Sequence, residues 1–281
     1  MTNPLLEIEG LSVTFPTPQG DARVVRDFSL RMGHEKIGIV GESGSGKSMT
    51  ARAILGLVRR PGRVAARKMR LGETDLMALS PAGYRDLRGK RAAMILQDPK
   101  FSLNPVQRIG TQIEETILLH ENESAAVRKA RALAMLEAVG IDDPRRVYSA
   151  YPHELSGGMG QRAMIAAMLV GSPELLIADE PTSALDVLVR DQVLALIDDL
   201  ARRRGFGLIL ISHDLNMVAR FCDRILVMYR GQVVETLAAN ALADATHPYT
   251  QGLVACLPSA RTRGRDLPVL ARDPSWEAAH G

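Results

Sequence analysis

Cysteine is scarce in this chain, with two in 281 residues. Cys222 and Cys256 lie far apart and show no paired metal-ligand spacing. This excludes a disulfide framework and fits a reducing compartment in which both thiols are structural. A long apolar run is also missing. The longest stretch, around Ala163 to Gly171, falls well short of the roughly 20 residues of a bilayer-spanning helix, so any membrane role is expected to be peripheral. The acidic start Met1 to Glu9 lacks a charged-then-apolar secretion leader. Charge of one sign is not in large excess: 35 Lys and Arg against 32 Asp and Glu leave a net charge of +3. The basic residues are scattered, with clusters at Arg59–Arg70, Arg85–Arg91 and Arg202–Arg204. Such clusters are ordinarily solvated faces, although those near Arg59 or Arg88 could also meet anionic lipid headgroups. Nothing in this balance requires nucleic acid, and no internal repeat or low-complexity array is present. With 46% hydrophobic and 24% charged residues, the chain can bury a sizeable core.

The most informative segment is Gly41-Glu42-Ser43-Gly44-Ser45-Gly46-Lys47-Ser48, a GxxxxGKS pattern. It lies between a short apolar run, Ile37 to Val40, and a helix-like segment, Ser48 to Leu57. Backbone N–H groups of such a loop and of the following helix start converge on phosphates, and glycines let the backbone wrap closely. Lys47 would reach the β- and γ-phosphates of a nucleotide, and the Ser48 hydroxyl would help hold Mg²⁺.

Strand-like alternation at Leu5 to Ile8, Leu11 to Phe15 and Val24 to Leu30, with a Pro/Gly turn at Pro16 to Gly20, predicts a small antiparallel sheet ahead of that loop. Further strand-like runs at Ala92 to Leu96, Leu175 to Ala178, Leu208 to Ile211 and Ile225 to Met228 alternate with helical segments, which argues for an α/β fold with a largely parallel core sheet. From Arg108 to Gly171 the pattern is helical. Ala126, Ala130, Leu133, Leu136 and Gly140 fall at three- to four-residue spacing, and Gly140 and Pro144 act as stop signals. Beyond Glu235 a short helical stretch and His247-Pro248-Tyr249-Thr250 precede an Arg/Pro-rich tail, residues 259–281, expected to be loosely ordered.

Other candidate residues sit where strands end. Leu175 to Ala178 runs into Asp179-Glu180, placing two carboxylates at the carboxyl edge of a buried strand, where α/β sheets bind ligands. Asp179 suits orientation of Mg²⁺, usually through water, and Glu180 suits a base that polarises a water attacking the γ-phosphate. Leu208 to Ile211 ends before Ser212-His213-Asp214, so His213 could hydrogen-bond the γ-phosphate and that water. Gln97 follows Ala92 to Leu96 and could contact Mg²⁺ and the water through its amide. Leu155-Ser156-Gly157-Gly158, before Gln161-Arg162, is a second Gly-rich loop opening a helix. One chain needs a single cradle for its own ATP, so Ser156, Gly157 and Gly158 suggest an anion site for a nucleotide held by another subunit.

In this order the motifs resemble the ATP-binding subunit of ABC transporters, from about Leu5 to Pro258. The resemblance implies a RecA-like P-loop core sheet with an N-terminal antiparallel β-subdomain and a helical insert, about residues 108–171, carrying the ABC signature. It makes Gly41 to Ser48, with Met49 following, the Walker A loop; Gln97 the Q-loop residue; Leu155 to Gly158 the signature; Asp179 and Glu180 the Walker B pair; Ser183 to Asp186 the D-loop; and His213 the switch histidine. Phe15 takes the place of an aromatic stacked on adenine. Gln97-Asp98-Pro99 with Leu103-Asn104-Pro105, Tyr151-Pro152 and His247 to Thr250 resemble the dipeptide, oligopeptide and nickel importer group.

That group implies ATP and Mg²⁺ as cofactors and a position on the cytoplasmic side of the inner membrane. Its partners would be two permease subunits, a second ATPase subunit, which the resemblance favours as a related but different chain over a second copy of this one, and an extracytoplasmic binding protein acting indirectly. Lys100 to Pro105 would lie near the groove for a permease coupling helix. Two features depart from the group. Only Cys256 stands in the C-terminal region where some members carry an iron–sulfur site, so no cluster is expected, and Gly160 occupies a signature-helix position that is commonly larger or polar. A clamp ATPase acting on DNA or ribosomes is the alternative, and a regulatory subunit without turnover a third reading. Neither the tandem cassettes, coiled coils or zinc modules of the first nor a loss of Glu180 and His213 favouring the second is found. Cargo is read by the permeases and binding protein, so this sequence does not name it.

Overall fold

The structure, a computed structural model, describes residues 3–96, 102–183, 186–257 and 276. The chain divides into two compact units, Met1–Met77 with Leu210–Gly281, and Ala78–Ile209. In chain order the described elements are strands β1 (Leu6–Thr17), β2 (Gly20–Met32) and β3 (Lys36–Val40), helix α1 (Lys47–Ile54), strands β4 (Arg63–Ala65), β5 (Lys68–Leu71) and β6 (Thr74–Asp75), helix α2 (Pro81–Leu87) and strand β7 (Ala92–Ile95). Helices α3 (Ile109–Leu118), α4 (Ala125–Ala138), α5 (Pro144–Ser149) and α6 (Gly157–Leu169) follow, then β8 (Leu175–Asp179), α7 (Val187–Arg204), β9 (Gly207–Ile211), α8 (Leu215–Phe221), β10 (Arg224–Tyr229), β11 (Gln232–Ala238) and α9 (Pro248–Ala255). Among the described residues no helix is long and apolar enough to cross a membrane.

In the first unit, Leu6, Ile8, Leu11 and Val13 of β1 are buried. Their period of two is broken once, between Ile8 and Leu11, where the register against β2 shifts. The extra residue there is a bulge that bends one long strand without ending it; this is why the sequence suggested two strands in its place. The sheet order is β2-β1-β5-β6, with β4 also on β1. The segments β4 to β6 were not anticipated, being two to four residues long in an Arg-rich stretch. Their charges have partners within the sheet: Arg63 pairs with Asp21, Arg67 with Asp27 and Lys68 with Glu7. Much of the Arg59–Arg70 cluster is thus internally neutralised.

A second sheet layer of the same unit sets β10 parallel to β3 and antiparallel to β11. The end of β9 meets the other edge of β3, where Ser212 N–H donates to Ile39 O at 3.2 Å. The short helical stretch expected beyond Glu235 is present as a 3-10 helix over Ala239–Asp244, starting only after β11 has run to Ala238, because pairing with β10 satisfies the backbone up to that point. Helix α1 stops at Ile54 short of the expected Leu57. Gly56 has φ +63°, and Leu57 N–H returns to Arg52 O at 2.8 Å, a left-handed glycine closing the last turn.

In the second unit β7 runs parallel to β8, and every residue of both strands is buried, as near-continuous apolar runs in parallel sheets require. Helices α3 to α6 form the expected helical segment. Gly140, at φ +76°, ends α4 as anticipated, with Ile141 N–H returning to Leu136 O. Pro144, read as a stop, opens α5 as its first residue, with the Asp143 side chain capping Arg146 N–H at 3.0 Å; a proline loses nothing at that position. The buried face of α4 is Ala132, Met135 and Leu136, with Ala126 and Ala130 exposed. Larger apolar side chains gain more from burial than alanine does and set the helix rotation.

Candidate nucleotide-binding site

The phosphate-loop candidate occupies the turn between β3 and α1 in the first unit. A Cβ at Gly41 would lie 2.1 Å from Met228 O, and one at Gly46 would lie 2.6 Å from Val24 O. Packed backbone leaves no room for a side chain at either position. The loop is braced at two places: Gly231 N–H, itself backed by Arg26 N–H donating to Gly231 O at 2.8 Å, donates to Ser45 O at 3.0 Å, and Glu42 N–H donates to the Tyr249 hydroxyl at 3.0 Å. Ser43 and Gly44 remain exposed at the tip.

Lys47 is 7% exposed. Its ammonium donates to Gly41 O at 2.7 Å, Glu42 O at 2.8 Å and Ser45 Oγ at 3.3 Å. These three oxygens hold the cation inside the loop's own curve. Gly46 caps α1 without a side-chain acceptor, and no acidic residue stands in its first turn. A buried cation, a helix start lacking an acidic neighbour and a backbone too tight for side chains together fit a phosphate group. Ser48 and Met49 are half-buried in that first turn.

At the adjoining strand end, Ser212 is 4% exposed and its hydroxyl accepts from Asp214 N–H at 3.0 Å. Asp214 caps α8 through Met217 N–H at 2.9 Å, and His213 between them is exposed. Phe15 is half-buried in β1, with its ring against Gly62, where a Cβ would meet it at 2.7 Å.

The second unit carries the carboxylate pair. Asp179 closes β8 and is 7% exposed, whereas Glu180 is half-buried. The Glu180 backbone has φ +48°, a left-handed conformation that strains a residue with a Cβ. Ser183 holds the turn by donating its N–H and hydroxyl to Glu180 O at 3.3 and 3.2 Å. Gln161 of α6, 1% exposed, donates its side-chain amide to Pro181 O. This residue was not among the sequence candidates. Its polar side chain within the apolar run of α6 was the available signal.

Ser156 is the N-cap of α6, accepting from Met159 N–H at 3.4 Å. Ser156 and Gly157 are exposed, Gly158 is half-buried and Gly160 is buried. Asp186 accepts from Val189 N–H at 3.0 Å at the start of α7, a helix-capping contact. Gln97, Ala184 and Leu185 lie outside the described residues, as do Lys100 and Phe101. Asn104 beyond them is pinned by Gln112 of α3, which accepts from Asn104 N–H at 2.8 Å and donates to Asn104 O at 3.1 Å.

The first unit thus brings together the loop, the start of α1 and the strand end bearing His213; the second ties α6 to the turn that bears Glu180 through Gln161. The sequence profile described as ABC transporter matches residues 25–183. The chain is 47% identical over 257 residues to the dipeptide transport ATP-binding protein DppD of Escherichia coli, covering 90% of this chain and 78% of that one. It is 43% identical over 275 residues to the oligopeptide transport ATP-binding protein OppD of Salmonella typhimurium, covering 97% and 82%. Its fold matches a dimeric ATP-binding cassette, MJ0796, in a post-hydrolysis state bound to ADP and Pi, with TM-score 0.74 and 25% identity over 83% of this chain and 98% of that chain. The chain belongs to the ABC transporter family, as an ATP-binding subunit that hydrolyses ATP.

Proposed function

We propose that this ATPase powers an importer of peptides, working on the cytoplasmic face of the membrane beneath two permease subunits and beside a second, related ATPase subunit. The observation that carries the reading is the identity of 43% to 47% with dipeptide and oligopeptide transport subunits over 90% or more of the chain. It favours peptides over nickel chelates as cargo. An extracytoplasmic binding protein would deliver that cargo, and no nucleic acid is involved.

In this mechanism the Gly41–Ser48 loop and the first turn of α1, to Met49, hold the phosphates of ATP, with Lys47 exchanging loop carbonyls for phosphate oxygens. Phe15 holds the adenine. The oxygen donors Ser48, Asp179 and Gln97 suit Mg²⁺, which supplies charge neutralisation on the phosphates when bound. Glu180 takes the proton of the attacking water, and its strained backbone fixes the carboxylate's direction at the strand end. His213 and Gln97 orient that water against the γ-phosphate. Ser156, Gly157 and Gly158 at the start of α6, with Asp186, face the nucleotide of the companion subunit, so that binding closes the pair and hydrolysis reopens it. The segment from Gln97 to Pro105 passes the motion to a permease. Residues 1–258 make up the ATPase domain, and residues 259–281 form an appended tail.

The deciding experiment expresses tagged Glu180→Gln protein in its native host, traps it with ATP and Mg²⁺, and identifies what co-purifies from detergent-solubilised membranes. Two polytopic permeases with a second ATPase are expected. Ribosomes or DNA without any membrane protein would sink the importer reading and leave the ATPase assignment standing.

A further inference from the structure

Tyr249 has no exposed surface, yet its hydroxyl reaches the phosphate loop from 207 residues away to accept the Glu42 N–H at 3.0 Å. Its position is set by a chain of hydrogen bonds from β11. Glu235 Oε1 accepts from Thr246 N–H at 2.7 Å, from the Thr246 hydroxyl at 3.0 Å and from His247 N–H at 3.3 Å. His247 Nδ1 in turn accepts from Tyr249 N–H at 3.1 Å, opening α9. Burial alone would raise the Glu235 carboxyl; the Thr250 hydroxyl beside it and the groups of Thr246 and His247 outweigh this and hold it below its ordinary value.

The Tyr249 ring also belongs to an aromatic cluster. It lies 4.5 Å from the Tyr229 ring, and Trp276 packs 5.7 Å from Tyr249 and 5.8 Å from Tyr229, edge-on to the latter. Tyr229 leads into the Arg230-Gly231 turn, whose Gly231 N–H holds Ser45 O at 3.0 Å. Tyr229 and Arg230 line one cavity of about 130 Å³ with Glu42, Ser43, Gly44 and Ser45. The loop is therefore pinned at Glu42 through Tyr249 and at Ser45 through the turn after Tyr229, on either side of its exposed tip. The two tyrosines behind these pins touch one another and share Trp276.

We infer that Tyr249 is a positioning residue for nucleotide binding, and that Trp276, seated on the Tyr249–Tyr229 pair, reports the geometry of the phosphate loop. This rests on the assignment of the loop to ATP. The hydroxyl acts before the ligand arrives, by holding the loop in its binding shape. Its loss therefore weakens binding and spares the chemical step, which Glu180 governs.

The test uses Tyr249→Phe in the full chain, which deletes the hydroxyl and keeps the ring. Equilibrium dialysis should give a Kd for ATP raised about three- to tenfold, the scale of one hydrogen bond. KM for ATP should rise by the same factor with kcat nearly unchanged. Trp276 is the one tryptophan in the chain, so its emission should change on ATP titration of the parent protein, with a midpoint equal to the dialysis Kd, and this response should be blunted in Tyr249→Phe. Unchanged ATP affinity in the variant, a fall in kcat and melting temperature with KM unmoved, or flat Trp276 emission while the parent binds ATP would each overturn the inference and leave the ATPase reading intact. Absence of saturable ATP binding by the parent would overturn the loop assignment, and this inference with it.

Discussion

Gln161 donates its side-chain amide to the carbonyl of Pro181, joining the interior of α6 to the residue that follows Glu180. Gln161 is 1% exposed, so the bond is made without competing water, and it supports the turn that carries Glu180. Gln161→Leu keeps the bulk but leaves a buried carbonyl without its donor. The expected cost is about 1–3 kcal/mol of stability, seen in urea melts. A fall in ATPase kcat of roughly tenfold should accompany it as the carboxylate loses its aim. Unaltered kcat beside the lost stability would confine Gln161 to holding the fold.

Glu180 itself separates chemistry from folding. Glu180→Gln should bind ATP normally and lose on the order of 10²-fold in turnover, the scale of a missing general base. Its φ of +48° adds a second expectation. Glu180→Gly should be equally inactive yet melt at the same temperature or higher, because glycine takes this backbone conformation without strain. A glycine variant clearly less stable than the glutamine variant would show that the side chain supports the fold.

For Lys47, three loop oxygens within 3.3 Å mean that removal of the ammonium also unsettles the loop. Lys47→Ala should weaken ATP binding by about tenfold or more, as loss of charge-assisted hydrogen bonds implies. Dialysis with labelled ATP measures this, and undiminished affinity would remove the loop from the phosphate-binding role.

Tyr148 of α5 supplies a pH test. Burial first, then its hydrogen bond to Glu114, push the phenol up from the ordinary 10.0 to about 12, with Arg128 opposing. The folded state thus favours the protonated phenol. The stability it contributes is complete below pH 10 and lost as pH rises through about 12. Denaturant melts between pH 9 and about 12 should show a decline that Tyr148→Phe reduces; an identical decline in both proteins would assign it to other groups.

Much of the site is legible in sequence because its parts are local. The loop from Gly41 to Ser48, the apolar run into Asp179 and the run into Ser212 each combine a buried strand with the polar residues at its end, and strand and end lie within about ten residues. The stop at Gly140 reads equally well, since it depends on one glycine after a helix. The spacing in α4 gave the helix but not its rotation, which Met135 and Leu136 decide by their burial.

By itself the sequence determined the α/β alternation, the placing of polar residues at strand ends and the family, because period, glycine placement and charge at strand ends are properties of neighbouring residues. Only the tertiary structure decided which distant groups hold the site in shape. Gln161 on Pro181, Tyr249 on Glu42 and Gly231 on Ser45 join segments 20 to 207 residues apart. A hydrogen bond between such segments depends on how the elements pack, and no local pattern records it.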